Sequence, residues 1–315
     1  MPIFFSTNSL EYLSTVDGKR FDTYRGYLKA ISDFFYEEYS DFPNYIKHCQ
    51  KTLSLIRPLK YSNINEIKKF LHIAWNTEYL LSINHNDPEI TRINNQWAPI
   101  QAYYSVYSGL EALSYGINTT HPYSHQKALQ QCSRFLIDLG VSPWDKAYKG
   151  SIGKKRSSQI PVHFPSKLNI PHNLQRHDVK PIEMIAKCLK VEHAHRVDDK
   201  WINFKKSGGY KYQYDPKPTT ILHFLYRLRV KSNYNEIDMF VMKAPQEKII
   251  EFATSLREVT SWTLSLIEMI LIKRLGATPI QNQMKSYLNV NKRANLLEYR
   301  LSEYSNLNWL HIPKL

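Results

Sequence analysis

The chain opens on helical spacing. Phe21, Tyr24, Tyr27, Leu28 and Ile31 recur at offsets of three and four, with Phe34 and Phe35 continuing the face. That period predicts an amphipathic helix. Ser62 to Trp75 reads the same way, with Ile64, Ile67, Phe70, Leu71 and Ala74 on one side. Pro58 and the Asn-rich stretch from Asn84 to Pro88 mark breaks. From Ile100 to Gly116 the run IQAYYSVYSGLEALSYG is apolar or aromatic on nearly every side, which predicts a helix at the centre of a domain. Gly116 is expected to end it, because glycine enters the left-handed conformation without strain. A second helix is expected from an N-cap at Ser124 to about Leu139, ending at Gly140.

Residues 141–218 change character. Seven prolines interrupt them, and no helical period is sustained before Pro181. Short alternations, IPVHF and YKYQY, suit pieces of strand. The helical pattern resumes at Thr219 with Ile221, Leu222, Leu225 and Leu228, capped by Thr219 or Thr220. Pro245 to Leu275 gives the strongest signal, one buried stripe from Ile249 to Leu275 over roughly 45 Å of helix. Pro245 suits its first turn, and Gly276 and Pro279 are expected to stop it. The tail shows a short helical pattern from Tyr287 to Tyr304, and Trp309 and Leu310 are expected to dock. The expected fold is mainly α. It comprises an N-terminal helical segment (1–94), a helical core from 95–140 and 219–276, an irregular basic insertion with short strands (141–218), and a C-terminal tail (277–315).

Composition narrows the class. With 43% apolar residues in 315, there is enough surface to bury against the entropy of ordering. Three widely spaced cysteines build neither a disulfide framework nor a zinc ribbon, so a reducing, cytoplasmic setting is expected. The first residues lack a basic leader with a long apolar run, so no signal peptide is expected. Trp262 to Leu275 is too short, and too interrupted by Glu268, Lys273 and Arg274, to span a bilayer. The net charge of +14 is unevenly placed. Residues 1–144 hold 13 Lys and Arg against 13 Asp and Glu, whereas 145–217 hold 16 against 7. A local positive field attracts polyanions, nucleic acid first among them, although a basic surface also serves solubility alone.

Motifs exclude more than they assign. Walker loops, GxGxxG, nucleophile elbows and HExxH are missing from the sequence. His121 with His125 and His193 with His195 are the two histidine pairs with ligand-like spacing, but the sequence points to no set of carboxylate or cysteine partners for them, so neither a metal nor another cofactor is expected. Glu111 sits inside the most apolar helix, where an unpaired carboxylate is costly. It is satisfied by an arginine or by tyrosine hydroxyls, or it is a site carboxylate with a raised pKa, or it faces a partner. In the segment from Leu225 to Phe240, Arg227 and Lys231 share a face with His223 one turn before, and Arg229 points away. Such cations suit phosphate contact, and equally an internal pair of Arg229 with Glu111, Glu236 or Asp238.

The two helical runs at 100–116 and 124–139, and RLRVKSNYNEIDMF followed by one long helix, resemble the HEPN superfamily, and within it the YaaC-like bacterial proteins. The resemblance covers 95–140 and 219–276 in the expected order. It implies a helical bundle, homodimeric, from a superfamily of RNA-cleaving toxins, defence effectors and inactive relatives, with a protein partner encoded nearby. The superfamily's ribonucleases carry Arg and then, after four to six intervening residues, His. Here only Arg156 with His163 has that spacing, inside the Pro-rich insertion, and Arg229 is followed at five residues by Tyr234. The first expectation is therefore an RNA-binding protein of a bacterial defence or toxin–antitoxin setting. Lys154, Lys155, Arg156, Lys205, Lys206, Tyr210, Tyr212 and Lys231 would provide backbone and stacking contacts. A divergent metal-independent endoribonuclease using His223, Arg227, Arg229, Tyr234 and Glu111 is the second expectation, and a non-catalytic dimeric interaction protein the third.

Overall fold

The computed structural model describes residues 16–59, 63–83, 87–117, 124–150, 160–170, 179–206, 217–235, 239–240 and 244–307, with the side chains of 198–206 and 234–235 outside the description. The fold is mainly α, as expected. Within these residues lie α1 (Val16–Tyr39), α2 (Phe42–Thr52), α3 (Ile64–Ile83), α4 (Pro88–Asn94), α5 (Ala98–Ile117), α6 (His125–Leu139), α7 (Pro181–Lys206), α8 (Ile221–Val230), α9 (Gln246–Leu275), α10 (Ala277–Val290) and α11 (Asn295–Ser305), with strands β1 (Ala147–Lys149) and β2 (Ile160–Val162).

At the centre lies α9, whose residues from Trp262 to Ile272 are all buried. Two neighbours define the core: α5 packs along α9, and α3 packs along α5. Glycine makes the first approach close. A Cβ on Gly109 would stand 2.9 Å from Leu264 Cδ2, and one on Gly116 only 2.5 Å from Leu271 Cδ2. Gly116 is thus a packing residue inside α5 rather than the left-handed cap expected of it. Gly140 does take that role after α6, at φ 74°, and Ser124 caps the start by accepting from Lys127 N–H. Gly276, at φ 91°, ends α9 as expected. Pro279 does not stop anything; it occupies the first turn of α10, where its missing N–H costs no helical bond.

The first described helix joins the last long one. Lys248 and Asp22 pair at 2.8 Å, Arg25 donates to Glu251, and Ser32 donates to Glu258. All three pairs are 226 residues apart, so α1 and α9 run in the same direction.

Two regions are more ordered than their patterns suggested. The insertion does contain the IPVHF strand, pairing Ile160–Val162 antiparallel with Ala147–Lys149. Tyr148 and Thr219 exchange backbone bonds of 2.8 and 3.0 Å, which brings the start and end of the excursion together. Its second half is not irregular: α7 runs 26 residues and buries Ile185, Ala186, Cys188 and Leu189 against the bundle. The YKYQY segment lies outside the described residues. The C-terminal pattern from Tyr287 to Tyr304 breaks at 291–294 into α10 and α11. Instead of forming a tail, α11 sends Arg300 and Tyr304 into the core, where Arg300 meets Glu78 and Glu268. Trp309 and Leu310 lie outside the described residues.

Candidate nucleic-acid interface

The proposed site residues separate into three groups. Those on the insertion (Lys154, Lys155, Arg156, Tyr210 and Tyr212) lie outside the described residues, as do the side chains of Lys205, Lys206 and Tyr234. A second group is structural. The His223 ring is buried, and its Nδ1 accepts from Thr220 N–H at 3.2 Å, closing the start of α8. The Thr220 hydroxyl in turn bonds Ser133 on α6 at 2.9 Å. Arg227 reaches the buried Glu192 on α7, with 3.3 Å between Nε and Oε1. Neither His223 nor Arg227 therefore belongs with Arg229: the first faces its own helix start, and the second turns toward α7. Their shared spacing reflects helix docking.

Arg229 and Glu111 form the third group, on a set of aromatic rings the sequence reading did not assemble. Three tyrosines of α5, at 103, 104 and 107, share one side of that helix with Glu111 one turn further on. Arg229 Nη2 donates to the Tyr104 hydroxyl at 2.9 Å, and its guanidinium carbon stands 5.4 Å from the Tyr104 ring and 6.0 Å from the Tyr103 ring. Cation–π attraction operates at these separations. Tyr226, one turn before Arg229 on α8, packs edge-on to Tyr103 at 5.4 Å.

His125 completes the cluster. As the first residue of α6 it is placed by the Ser124 cap, and its ring stacks on Tyr107 with centroids 3.9 Å apart. Its Nδ1 is 2.8 Å from the Tyr103 hydroxyl. Partial burial lowers the imidazole pKa from 6.5, and the positive charge of Arg229 lowers it further. A neutral ring at neutral pH follows. Tyr103 and Tyr107 are pushed upward, chiefly by burial, so both stay protonated. Tyr107 donates its hydroxyl hydrogen to Glu111 Oε1, so a tyrosine of the same helix, one turn earlier, meets that buried acid rather than one from a facing helix.

The arrangement joins a fixed cation, a neutral imidazole and several phenols, with Tyr104, Tyr107, His125, Tyr226 and Arg229 all partly accessible. A guanidinium held on aromatic faces suits a phosphodiester, and exposed ring edges suit bases. In the sequence His125 stands out through its spacing from His121. The signal for this cluster was the helix-start position of His125 after the aromatic α5 run. The other histidine pair does not converge: His193 is buried with Nδ1 3.0 Å from Thr219 Oγ1, whereas His195 is exposed.

Much of the described positive charge is already engaged. Lys146 is buried against Asp145 at 2.9 Å, and Arg196 donates to Pro218 O and Thr219 Oγ1. Lys149, Lys167, Lys180, Lys190 and Lys217 remain exposed, and Lys231 is half-buried at the end of α8. Among the described residues no helix is long and apolar enough to cross a membrane. Comparison of the chain with models of protein families, with curated proteins and with solved structures found no match.

Proposed function

We propose that this protein binds RNA, with Arg229 and the tyrosines of α5 holding a phosphodiester and its bases beside His125. The observation that carries the reading is the partly exposed Arg229 guanidinium, anchored by the Tyr104 hydroxyl and lying over two aromatic rings. The positive excess of residues 145–217 supports it by attracting a polyanion to the same chain. The HEPN-like order of the two sequence segments points the same way, toward a bacterial defence or toxin–antitoxin setting. Filter binding of a single-stranded oligoribonucleotide at two salt concentrations tests the reading. Affinity should fall with salt, and Arg229→Gln should weaken it about tenfold, on the scale of one lost charge-assisted contact. Affinity absent at low salt, or indifferent to salt, overturns it.

One observation favours a second reading, metal-independent cleavage. His125 is neutral at neutral pH and neighbours a cation, the combination required of a general base at a phosphodiester. In that chemistry His125 Nε2 takes the proton of a 2′-hydroxyl, and the oxygen forms a bond to phosphorus. The P–O5′ bond breaks, and the leaving oxygen takes a proton from water. Arg229 neutralises the phosphoryl oxygens. Incubation with total RNA beside His125→Ala and Arg229→Ala variants tests it, and equal degradation by all three proteins removes the assignment.

A further inference from the structure

A cavity of about 340 Å³ opens where α3, α9 and the segment leading into α11 converge. The last turns of α3 contribute Tyr79, Ser82 and Ile83, the middle of α9 contributes Arg257, the turn before α11 contributes Arg293, and the start of α11 contributes Asn295 and Leu296. We propose that this cavity is a binding site for a phosphomonoester of nucleotide size, separate from the Arg229 cluster.

Two guanidiniums line one space, the half-buried Arg257 and the exposed Arg293, and an anion between them relieves their mutual repulsion. Within the described residues neither arginine side chain has an ion-pair or hydrogen-bond partner, while the arginines elsewhere in the core are tied to acids or carbonyls. The adjacent carboxylates have hydrogen-bond partners of their own, although the Glu258 charge still favours the Arg257 guanidinium. Glu258 accepts from Ser32 and Tyr36 on α1, and Glu78 is held by both terminal nitrogens of Arg300. Arg257 is half-buried, and that burial opposes its charge, an effect that Glu258 and Tyr36 offset only in part. An incoming dianion restores the balance more effectively than water does.

The remaining lining fixes the ligand class. Asn295 supplies an amide and Tyr79 a phenol, so neutral donors flank the cationic pair. Ile83 and Leu296 give apolar wall, which inorganic phosphate alone leaves unused. The volume lies within the range of small-molecule sites and exceeds the needs of a bare ion. A phosphate on Arg257 and Arg293, with its organic body against Tyr79, Ile83 and Leu296, uses every part of the cavity. That phosphomonoester comes either from a free nucleotide or from the 5′ end of an RNA strand.

Isothermal titration of the full-length protein distinguishes these cases. The probes are adenosine 5′-monophosphate, inorganic phosphate, and one oligoribonucleotide bearing either a 5′-phosphate or a 5′-hydroxyl. We expect saturable binding of the monophosphate, tighter than inorganic phosphate, and weakened at least about tenfold by Arg257→Gln and by Arg293→Gln. A preference for the 5′-phosphorylated oligonucleotide assigns the site to strand ends, and equal affinity for both oligonucleotides assigns it to the free nucleotide. Arg229→Gln should leave monophosphate binding unchanged, so failure here and failure of the RNA reading are distinguishable. If Arg257→Gln does not fold, the exposed Arg293 decides alone. Monophosphate binding that is absent, no tighter than that of inorganic phosphate, or indifferent to Arg293→Gln overturns the proposal.

Discussion

Arg300 and Glu78 meet through two parallel N–H···O bonds of 2.7 Å, both side chains almost wholly withdrawn from water. The same guanidinium donates to both oxygens of Glu268, at 2.9 and 3.0 Å, and to Ser261. Trp75 and Tyr304 complete the Glu268 carboxylate, at 2.8 Å each. Burial raises the Glu268 pKa, while Arg300 opposes that rise. Arg300→Met removes the cation that Glu78 and Glu268 share and leaves two acids in the interior. A loss of about 3–5 kcal/mol is expected, read as a lower urea midpoint. Arg300→Lys should also destabilise the fold, because a lysine ammonium cannot bond both carboxylates in the bidentate manner.

The lowered pKa of His125 sets a direction for pH. The unfolded chain binds a proton to this imidazole near pH 6.5, whereas the folded chain resists doing so until lower pH. Stability from this group is therefore present above pH 6.5 and is lost as pH falls through 6.5 toward the lower folded value. NMR titration of the ring should give a midpoint below 6.5, and Arg229→Gln should move it upward by removing the nearby positive charge. An unchanged midpoint in that variant would separate the two residues electrostatically.

His223 should behave as a cap of α8. His223→Ala removes the acceptor for Thr220 N–H at the start of α8. A loss of about 0.5–2 kcal/mol is expected by thermal or urea unfolding. RNA affinity, measured where the variant is folded, should match the parent. A specific loss of affinity at unchanged stability would return His223 to the binding surface.

Gly116→Ala tests the close approach of α5 to α9. Alanine improves helix propensity by about 1 kcal/mol, whereas overpacking costs about 1–3 kcal/mol. With Leu271 Cδ2 only 2.5 Å from the new Cβ, the second effect should win and the urea midpoint should fall. At Gly109, where the nearest atoms stand at 2.9 and 3.0 Å, the loss should be smaller.

Local signals in the sequence were readable because their physics is local. Ser124 and Gly140 bound α6, and Gly276 ends α9, since caps depend on a few adjacent residues. Gly116 misled because close packing by glycine and termination by glycine look alike without the facing Leu271. The C-terminal region misled for a similar reason. Arg300 looks like an ordinary surface cation until Glu78, 222 residues earlier, stands beside it. In α7 the buried set includes Glu192 and His193, polar residues that hide the apolar spacing of Ile185, Ala186 and Leu189. Of the site, Arg229 and Glu111 were legible as cations and acids in unusual places. His125 was not, because its partner rings come from α5 and its electrostatic neighbour from α8.

The parallel pairing of α1 with α9 also constrains how the molecule is made. Asp22, Arg25 and Ser32 emerge from the ribosome more than two hundred residues before the side chains that complete them. The nascent chain must hold its aromatic N-terminal face unsatisfied until synthesis is nearly over, and such long-range closure slows folding. Premature termination anywhere before α9 yields a product with its apolar surface open, a substrate for chaperones and proteases instead of a smaller working protein.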